Sequence, residues 1–178
     1  MHFLEIYEQN KDKLIAPEGF VFELINEIHS KNIVKWRNDP QMNKFFYDRS
    51  KYTLKSQREF LANYVQHDRI DLILVDKENN QYVGVFTLKN LSKHPELGKI
   101  LGKKAYRGKG LAKKASFYFL QFAFDFFKID QIFAETKVSN IGNIRLNEKL
   151  GFKIVNEKTV NDEKYYVMQI TSNELIYE

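Results

Sequence analysis

The chain has 178 residues, a formal net charge of +5 and no cysteine. This length predicts a single domain over residues 1–178, and the lack of cysteine excludes disulfides, thiolate metal sites and a cysteine nucleophile. The sequence shows neither a charged leader before an apolar run nor an apolar stretch of the ~20 residues that a membrane span needs. We therefore expect a cytoplasmic protein with no membrane partner and no bound metal.

The first half of the chain predicts one strand, two helices and a hairpin, after a short N-terminal helix or arm. Asp39-Pro40 ends the first of the two helices, because the residue before a proline avoids the helical region. Thr53 is a suitable N-cap for the second helix, and turn residues at 77–80 join two strands into a hairpin. The predicted elements are the arm 1–10, the strand 20–25, the helices 28–37 and 53–65, and the strands 70–75 and 82–88.

The second half predicts strands and helices on either side of a glycine-rich turn. Apolar residues at the helical period follow this turn, and Gly151 is a usual residue directly after a helix. The predicted elements are the strand 96–101, the helix 109–127, the strand 131–135, the helix 140–150, and the strands 152–155 and 165–170. The whole order predicts a mixed α/β fold around one sheet.

Positive charge is concentrated in one segment, 99–114, which holds seven basic residues and no acid. Elsewhere the two signs are mixed, so the segment suits a phosphorylated small ligand at least as well as a long polyanion. A nucleic-acid-binding module is the alternative from a different class. Aromatic residues do not interleave with the cluster beyond Tyr106, and no nucleic-acid reader motif occurs. We therefore expect no nucleic-acid partner.

The glycine-rich turn is Tyr106-Arg107-Gly108-Lys109-Gly110-Leu111-Ala112. It combines small residues, which admit a ligand close to the backbone, with basic side chains and the start of a helix. A helix start offers unpaired N–H groups and the positive end of the helix dipole. Two glycines there lower helix stability by up to ~1 kcal/mol each unless the site needs them. The turn therefore predicts a diphosphate site.

This order of strand, Arg-Gly-x-Gly-x-Ala turn and helix resembles the pyrophosphate loop of the GCN5-related N-acetyltransferases (GNAT). Two further segments carry the resemblance: the strand 96–102 before the loop, and the run Asn140-x-x-Asn143-x-x-x-Asn147-Glu148-Lys149-Leu150-Gly151-Phe152 after it. The resemblance covers nearly the whole chain. It extends to the branch of ribosomal-protein alanine acetyltransferases and flagellar amino-sugar-nucleotide N-acetyltransferases.

The resemblance implies a fold and a partner arrangement. The expected GNAT fold has a central, mostly antiparallel, splayed sheet of six to seven strands flanked by about four helices. Many members dimerise through edge strands, which implies a homodimer here, with the C-terminal strand as the candidate edge.

The resemblance also implies acetyl-CoA as co-substrate. The pyrophosphate would be held by Arg107, Gly108, Lys109, Gly110 and Ala112. The pantetheine arm and acyl group would meet the backbone of Ile100, Leu101 and Gly102, and the second cofactor helix would contribute Asn140 and Asn143. Two simpler interpretations stay open, since Lys109 also reads as a solvated lysine and Asn140 as a plain helix N-cap.

The implied chemistry is direct attack of a neutral amine on the thioester. Glu96, at the start of the central strand, is the candidate base, and the Leu101 N–H is the candidate oxyanion donor. His94 could share the role of base, and Glu96 also reads as an exposed strand-end carboxylate. Many members have a Tyr acid where this chain has Asn147, although the branch of ribosomal-protein alanine acetyltransferases often lacks that Tyr. Water as the source of the proton therefore stays open. An amide is no acid, although its NH₂ group can hydrogen-bond a sulfur.

The acceptor is expected to meet the segment 34–60, through Trp36, Arg37 and Tyr47. Arg37 would pair with an acceptor phosphate or carboxylate, while the alternative puts Trp36 in the core and Arg37 at a helix end. The expected function is N-acetylation of a small amine such as an amino-sugar nucleotide. Acetylation of a protein N-terminus is the main alternative, polyamines rank third, and a CoA-binding protein without catalysis stays open.

Overall fold

The computed structural model of the protein describes residues 2–177, so Met1, the first residue of the predicted arm, and Glu178 lie outside it. The strands are β1 (Phe20–Leu24), β2 (Arg69–Asp76), β3 (Gln81–Lys89), β4 (Glu96–Leu101), β5 (Gln131–Lys137), β6 (Lys153–Val160) and β7 (Glu163–Thr171). The helices are α1 (Phe3–Asn10), α2 (Ser30–Asn38), α3 (Pro40–Asn43), α4 (Leu54–Ala62), α5 (Leu111–Phe122) and α6 (Ile141–Leu150). One π-helical turn, Ala123–Phe127, extends α5.

All seven strands form one sheet in the order β1-β2-β3-β4-β5-β7-β6. Neighbouring strands pair antiparallel except β4 and β5, which run parallel. The mixed fold and the mostly antiparallel sheet predicted from the sequence are confirmed. Within the described residues there are six α-helices instead of about four, because α1 and the four-residue α3 add to the expected set.

The central strands diverge in the middle of the sheet. β3 pairs with β4 over six residues, whereas β4 pairs with β5 only through Glu96 and Phe133. A hydrogen bond from the Phe133 N–H to the Pro95 carbonyl (2.7 Å) closes this end. Beyond Glu96 no described residue of β4 has a partner in β5. The splayed sheet predicted from the sequence is therefore present, and it opens toward the turn that follows β4.

Two apolar clusters cover opposite faces of the sheet because alternate residues of a strand point to opposite sides. The larger cluster joins the sheet to α1, α5 and α6 and includes Phe86, Leu97 and Phe119. The smaller joins it to α2 and α4 and includes Trp36 and Ile100. The open gap between β4 and β5 therefore has helices α5 and α6 on one side and helices α2 and α4 on the other.

Several boundaries differ from prediction for local reasons. The long helix begins at Leu111 and not at residue 109, because Gly110 adopts a left-handed conformation (φ +74°). Asp39 ends α2 as predicted, and its side chain also caps α3 by accepting from the Gln41 N–H (2.9 Å). Thr53 caps α4, which confirms the predicted N-cap.

The expectation that the C-terminal strand lies at an edge is wrong. β7 is paired on both sides, with β5 and with β6, because the 153–171 hairpin folds its first strand outward. The edges of the sheet are β1 and β6. No helix within residues 2–177 has the length and apolar character that crossing a bilayer requires.

Candidate active site

The turn between β4 and α5 is built on two glycines with left-handed backbone. Gly108 has φ +75° and Gly110 has φ +74°, which a side chain would disfavour. No side chain of the described residues caps α5 at Gly110, so the first N–H groups of the helix stay available to a ligand. A Cβ built at either glycine meets no atom within 4 Å. The turn therefore has an open, anion-binding backbone.

Basic side chains surround this turn, and their charges are not neutralised. Within residues 2–177, no carboxylate forms an ion pair with any of Lys103, Lys104, Lys109, Lys113 and Lys114. Lys109 is exposed beside the open turn. Ala112 lies in the first turn of α5, where its N–H adds to the unpaired donors. Uncompensated positive charge at a helix start favours an anionic ligand.

Arg107 has a different position from the one its role in the motif implies. Its guanidinium donates to the carbonyl of Leu101 (2.9 Å) and to the carbonyl of Gly102 (3.2 Å). It therefore joins the turn to the end of β4. Arg107 therefore occupies one acceptor position on each of these carbonyls and leaves the N–H groups of this strand end unengaged by its side chain.

Gly102, directly after β4, packs closely against Trp36 of α2. A Cβ built there would lie 2.2 Å from the ring of Trp36. Trp36 is buried in the smaller core cluster, as the alternative interpretation of the sequence held. Its ring supports the end of β4 from the α2 side and does not line the cleft.

The strand β4 presents different chemistry on its two faces. Leu97 packs into the larger core cluster on the side of α5 and α6, and Lys99 shares this face. Ile100 packs with the smaller cluster on the side of α2 and α4, and Glu96 shares that face. The Glu96 carboxylate and the Lys99 ammonium, three positions apart, therefore project from opposite faces of one strand at the open gap.

Lys99 is the functional candidate that sequence reasoning missed. Its side chain is partly buried, and its ammonium donates to the Asn147 Oδ1 at 2.7 Å. Burial lowers the pKa of Lys99 to about 7, and no charged neighbour contributes to the shift. A signal existed in the sequence, because the alternation of Leu97, Lys99 and Leu101 places a lysine on an apolar strand face.

The helix α6 places three asparagines along the gap. Asn140 caps the helix by accepting from the Asn143 N–H (3.3 Å), and Asn143 donates to the Thr136 Oγ1 (2.9 Å). Asn147 is fully buried; its NH₂ group faces the Thr136 Oγ1 at 3.3 Å and the Met168 sulfur at 3.7 Å. The Asn147 amide that was expected to meet a sulfur is thus held by protein partners, and it turns its oxygen toward Lys99.

A cavity of about 510 Å³ opens on the other face of the gap, between α2, α4 and the 45–52 loop. Its walls include Arg37, Tyr47, Gln57, Glu96, Lys99 and Glu135. Because Lys99 and Glu96 both reach it, this cavity is continuous with the gap between β4 and β5. We refer to it below as the acceptor cleft.

Three carboxylates that line the acceptor cleft are paired with cations. Glu96 accepts from Lys89 (3.0 Å), and Asp71 forms a two-pronged ion pair with Arg69 (2.7 and 2.6 Å). Burial raises the pKa of Glu135, but hydrogen bonds from Lys158 and Tyr47 outweigh it, and the net pKa falls. Glu135 is therefore a weakened base that anchors Tyr47. Glu96 is the less constrained of the two carboxylates at the gap.

Two donors in the cleft have no acidic partner among the described residues. The Arg37 guanidinium lies 4.6 Å from the centre of the Tyr52 ring and 5.4 Å from that of Phe46, and it forms no ion pair. The Gln57 side chain is buried, and its NH₂ group lacks a hydrogen-bond partner. Unpaired donors in a cleft favour an acceptor that carries oxygen-rich or anionic groups.

Comparison with protein families identifies the molecule. A model described as "Acetyltransferase (GNAT) domain" matches residues 21–153, about three quarters of the chain. The chain belongs to the GNAT acetyltransferase family. The match includes β4, the glycine turn and α6, so it covers the segments that carried the resemblance in sequence. Comparison with curated proteins gave no match.

Solved structures resemble the acetyltransferase over most of its length. Ribosomal-protein-S5-alanine acetyltransferase from Vibrio fischeri is 18% identical, with a TM-score of 0.78 over 91% of this chain and 98% of that one. Spermidine N-acetyltransferase from Vibrio cholerae, in complex with CoA and spermine, is 14% identical, with a TM-score of 0.78 over 88% and 97%. Aminoglycoside acetyltransferase AAC(6')-Ib, in complex with coenzyme A, is 20% identical, with a TM-score of 0.73 over 87% and 96%. These identities establish the fold and leave the acceptor open.

The remaining predicted residues of the acetyltransferase fall in two groups. Tyr47 lies in the acceptor cleft with its ring 4.4 Å from that of Tyr165, and its hydroxyl donates to Glu135. His94 is exposed and stacks on Phe133 at 3.9 Å between ring centres, so it lies at the closed end of the gap. The structure thus brings Glu96, Arg37 and Tyr47 to one cleft and keeps His94 outside it.

Proposed function

We propose that this acetyltransferase moves the acetyl group of acetyl-CoA to a primary amine of a small molecule that also carries an anionic group. An amino-sugar nucleotide is an example of such an acceptor. The observation that carries the proposal is the single open gap between β4 and β5, which ends at an uncapped, positively charged helix start on one side and at a cleft with unpaired donors on the other.

The cofactor side fits a CoA thioester on chemical grounds. The left-handed glycines leave space beside unpaired N–H groups and lysines that carry no counter-charge, which suits a diphosphate. The exposed edge of β4 offers backbone groups to an amide-bearing chain, as in strand addition. Two of the similar structures were determined with CoA bound, which agrees with this assignment.

On the acceptor side, Glu96 is the group proposed to remove the proton from the attacking amine, directly or through water. It is only partly buried and has one ion-pair partner, Lys89. The Leu101 N–H is proposed to stabilise the tetrahedral oxyanion, because Arg107 occupies the carbonyl of this residue and not its N–H. Both groups belong to β4, so one strand aligns nucleophile and thioester.

The charges of the cleft favour an anionic acceptor over a polyamine. The carboxylates Asp71, Glu96 and Glu135 are each bound to a cation. The remaining acid, Asp48, is exposed, and hydrogen bonds from Ser50 together with the weaker effect of the Arg37 charge lower its pKa. A polyamine would need free carboxylates, whereas Arg37 and Gln57 supply free donors. We therefore rank a phosphate- or carboxylate-bearing amine first.

The test is release of CoA from acetyl-CoA, read with a thiol-reactive dye, over a panel of amines. The protein has no cysteine, so it adds no background. The panel contains amino-sugar nucleotides, the same amino sugars without phosphate, spermidine, an aminoglycoside and peptides with free N-termini. Turnover of the phosphorylated sugars above the others supports the proposal. Turnover confined to peptides or polyamines would replace the proposed acceptor, and no turnover together with no binding of acetyl-CoA would remove the proposed function.

Two variants separate the base from the acceptor site. Glu96→Gln should lower kcat by about 10²-fold, because general base catalysis contributes at least that much. Arg37→Met should raise KM for a phosphorylated acceptor by about tenfold, since a charge-assisted contact is worth roughly 1.5–3 kcal/mol, and leave KM for acetyl-CoA unchanged. An equal effect of Arg37→Met on a neutral amine would show that the side chain supports the cleft and does not bind an anion.

A further inference from the structure

We propose that Lys99 donates the proton that the CoA sulfur receives when the thioester breaks. The inference rests on the proposed function and adds the acid that the sequence lacks at Asn147. It stands on three observations of the structure, namely the position of Lys99, the orientation of Asn147 and the absence of a carboxylate partner for the ammonium within residues 2–177.

The ammonium of Lys99 lies in the gap, on the face of β4 that α5 and α6 cover. Glu96, the proposed base, projects from the opposite face of the same strand. Three residues of strand separate them by about 10 Å along the chain. An amine that attacks from the Glu96 side drives the leaving sulfur away from it, toward α6 and Lys99. Base and acid then act on opposite sides of the carbonyl carbon.

The orientation of Asn147 directs the ammonium. Its NH₂ group faces Thr136 and Met168, so its oxygen is the atom presented to Lys99. The amide of Asn147 cannot release a proton, but it holds the terminal nitrogen of Lys99 at the gap. The strand residue is therefore the proposed acid, and the helix residue is its positioning partner.

The surroundings of Lys99 keep it a good acid at neutral pH. The side chains that face the gap from α6, β5 and β7 are Asn143, Asn147, Thr136 and Met168, all uncharged. The charged groups Lys89, Glu96 and Glu135 project from the other face of the sheet and line the same cavity as Lys99, but none of them contributes to the pKa shift of Lys99. Burial lowers the pKa of Lys99 to about 7, below the ~8.5 of an ordinary thiol. Transfer of a proton from the ammonium to a leaving thiolate is therefore downhill.

The step balances in atoms and charge. The amine nitrogen forms a bond to the carbonyl carbon, and the carbon–sulfur bond breaks with its electron pair on sulfur. One proton leaves the amine nitrogen for Glu96, and one leaves the Lys99 ammonium for the sulfur, which gives an amide and CoA thiol. Solvent returns a proton to Lys99 and removes one from Glu96 before the next cycle.

A structural explanation of Lys99 is weaker than the functional one. Its neighbours on the same strand face, Leu97 and Leu101, are apolar and pack against the larger cluster. A partly buried ammonium with a single neutral partner destabilises a fold, so packing alone would favour another apolar residue here. The loss of folding free energy has a functional explanation, because the charge would meet a ligand that develops negative charge in the gap.

The first test reads Lys99 directly by NMR of protein labelled with ¹³C at the lysine Cε atoms. Lys99→Met assigns the resonance, and Lys153→Met, an exposed lysine on β6, is the matched control. We expect the Lys99 resonance to titrate near pH 7 in the free protein. It should shift on binding CoA and shift much less on binding desulfo-CoA, in which hydrogen replaces the sulfhydryl group.

The outcomes separate this inference from the proposed function. Saturable shifts of other lysines with both ligands, and equal responses of Lys99 to CoA and desulfo-CoA, would place the sulfur out of reach and overturn the inference while acetyl-CoA binding stands. No shift of any lysine with either ligand would remove the proposed function and the inference with it.

Kinetics supply a second readout. Lys99→Met should lower kcat by about 10²-fold, leave KM for acetyl-CoA within about threefold and abolish the fall in kcat above pH 7. Lys99→Arg retains the charge but holds its proton too tightly to donate, so it should remain slow. Wild-type kcat in both variants, or a loss confined to KM for acetyl-CoA, would show that Lys99 does not act as the acid.

Discussion

The two sides of the splayed gap are built from different materials. On the proposed cofactor side, which comprises β4, the glycine turn, α5 and α6, the available groups are backbone N–H groups and lysines without ion-pair partners among the described residues. On the acceptor side, which comprises α2, α4 and the 45–52 loop, they are side chains, and most of these are already paired with one another.

This contrast explains why the sequence specifies the proposed cofactor side in more detail than the proposed acceptor side. A backbone site is determined by a few φ angles and a strand register, so a short motif specifies it. A side-chain site depends on which charge pairs with which neighbour, and these pairings join residues far apart in sequence, such as Tyr47 and Glu135. Lys99 is the exception, because it acts through its side chain on the side of the gap where most available groups belong to the backbone.

The largest effect is expected where the two sides meet. Gly102→Ala places a Cβ 2.2 Å from the buried Trp36 ring, so the end of β4 or α2 must move. Overpacking of this kind costs up to about 3 kcal/mol, and we expect urea unfolding to show a loss of that size. Because β4 carries the proposed oxyanion donor and α2 carries Arg37, binding of acetyl-CoA and of the acceptor should both weaken.

The control is Trp36→Leu, which opens space for the new methyl group. In that background Gly102→Ala should cost less than about 1 kcal/mol, giving a coupling energy of about 2 kcal/mol. Gly142→Ala, on a helix where a Cβ meets no atom within 4 Å, should be neutral or stabilising. If the effects of Gly102→Ala and Trp36→Leu on the free energy of unfolding were additive, the contact between Gly102 and Trp36 would not couple β4 to α2.

Replacing Lys99 should make the protein more stable while it loses activity. The pKa of Lys99 falls from 10.5 to about 7 on folding, so the charged form is disfavoured in the folded state. The destabilisation is therefore complete below pH 7 and disappears as pH rises toward 10.5. We expect Lys99→Met to gain about 2 kcal/mol at pH 6, with the difference from wild type shrinking above pH 7. Urea unfolding at several pH values measures it, and a loss of stability at pH 6 would indicate a packing role.

The sequence predicted the parts of this molecule that local chemistry determines. The glycine turn, the Thr53 and Asn140 caps and the Gly151 helix end are all recognisable over a few residues, and the splayed strand followed from the family resemblance that such segments carry. The edge assignment of β7 was wrong because strand order is a long-range property, and the hairpin could fold on either side.

The missed site residues share a different cause. Glu135 and Gln57 read as ordinary strand and helix residues, and only the fold brings them to the cleft of Glu96. In the sequence, Lys99 belongs to the basic run 99–114, although the alternation of its strand predicts that it lies on the apolar face. A charged residue at a position that the strand pattern predicts to be apolar is therefore a candidate functional residue, even inside a cluster of like charges.

A smaller effect is expected from the cofactor side alone. Gly110→Ala strains a backbone at φ +74° by roughly 1–2 kcal/mol and brings a methyl group toward the ligand. We expect the Kd for acetyl-CoA, measured by calorimetry, to rise about tenfold, which corresponds to roughly 1.4 kcal/mol. Gly19→Ala is the matched control, with φ +82° and equal open space, and it should lose similar stability without a change in Kd. Equal Kd values of the two variants for acetyl-CoA would show that the diphosphate does not bind at this turn.

The smallest effect is expected from the acceptor side alone, at the start of α4. The Thr53 hydroxyl accepts from the Ser56 N–H, and the Ser56 hydroxyl accepts from the Thr53 N–H, both at 3.0 Å. Thr53→Ala removes one of these caps at a cost of about 1 kcal/mol, and the first turn of α4 carries the helix toward Gln57. Fraying there should raise KM for the acceptor about fivefold, as roughly 1 kcal/mol implies, and leave the Kd for acetyl-CoA unchanged. Thr53→Ser keeps the cap and should behave as wild type. If Thr53→Ala weakened acetyl-CoA binding as much as acceptor binding, the two sides of the gap would not be independent, and the contrast between them would fail.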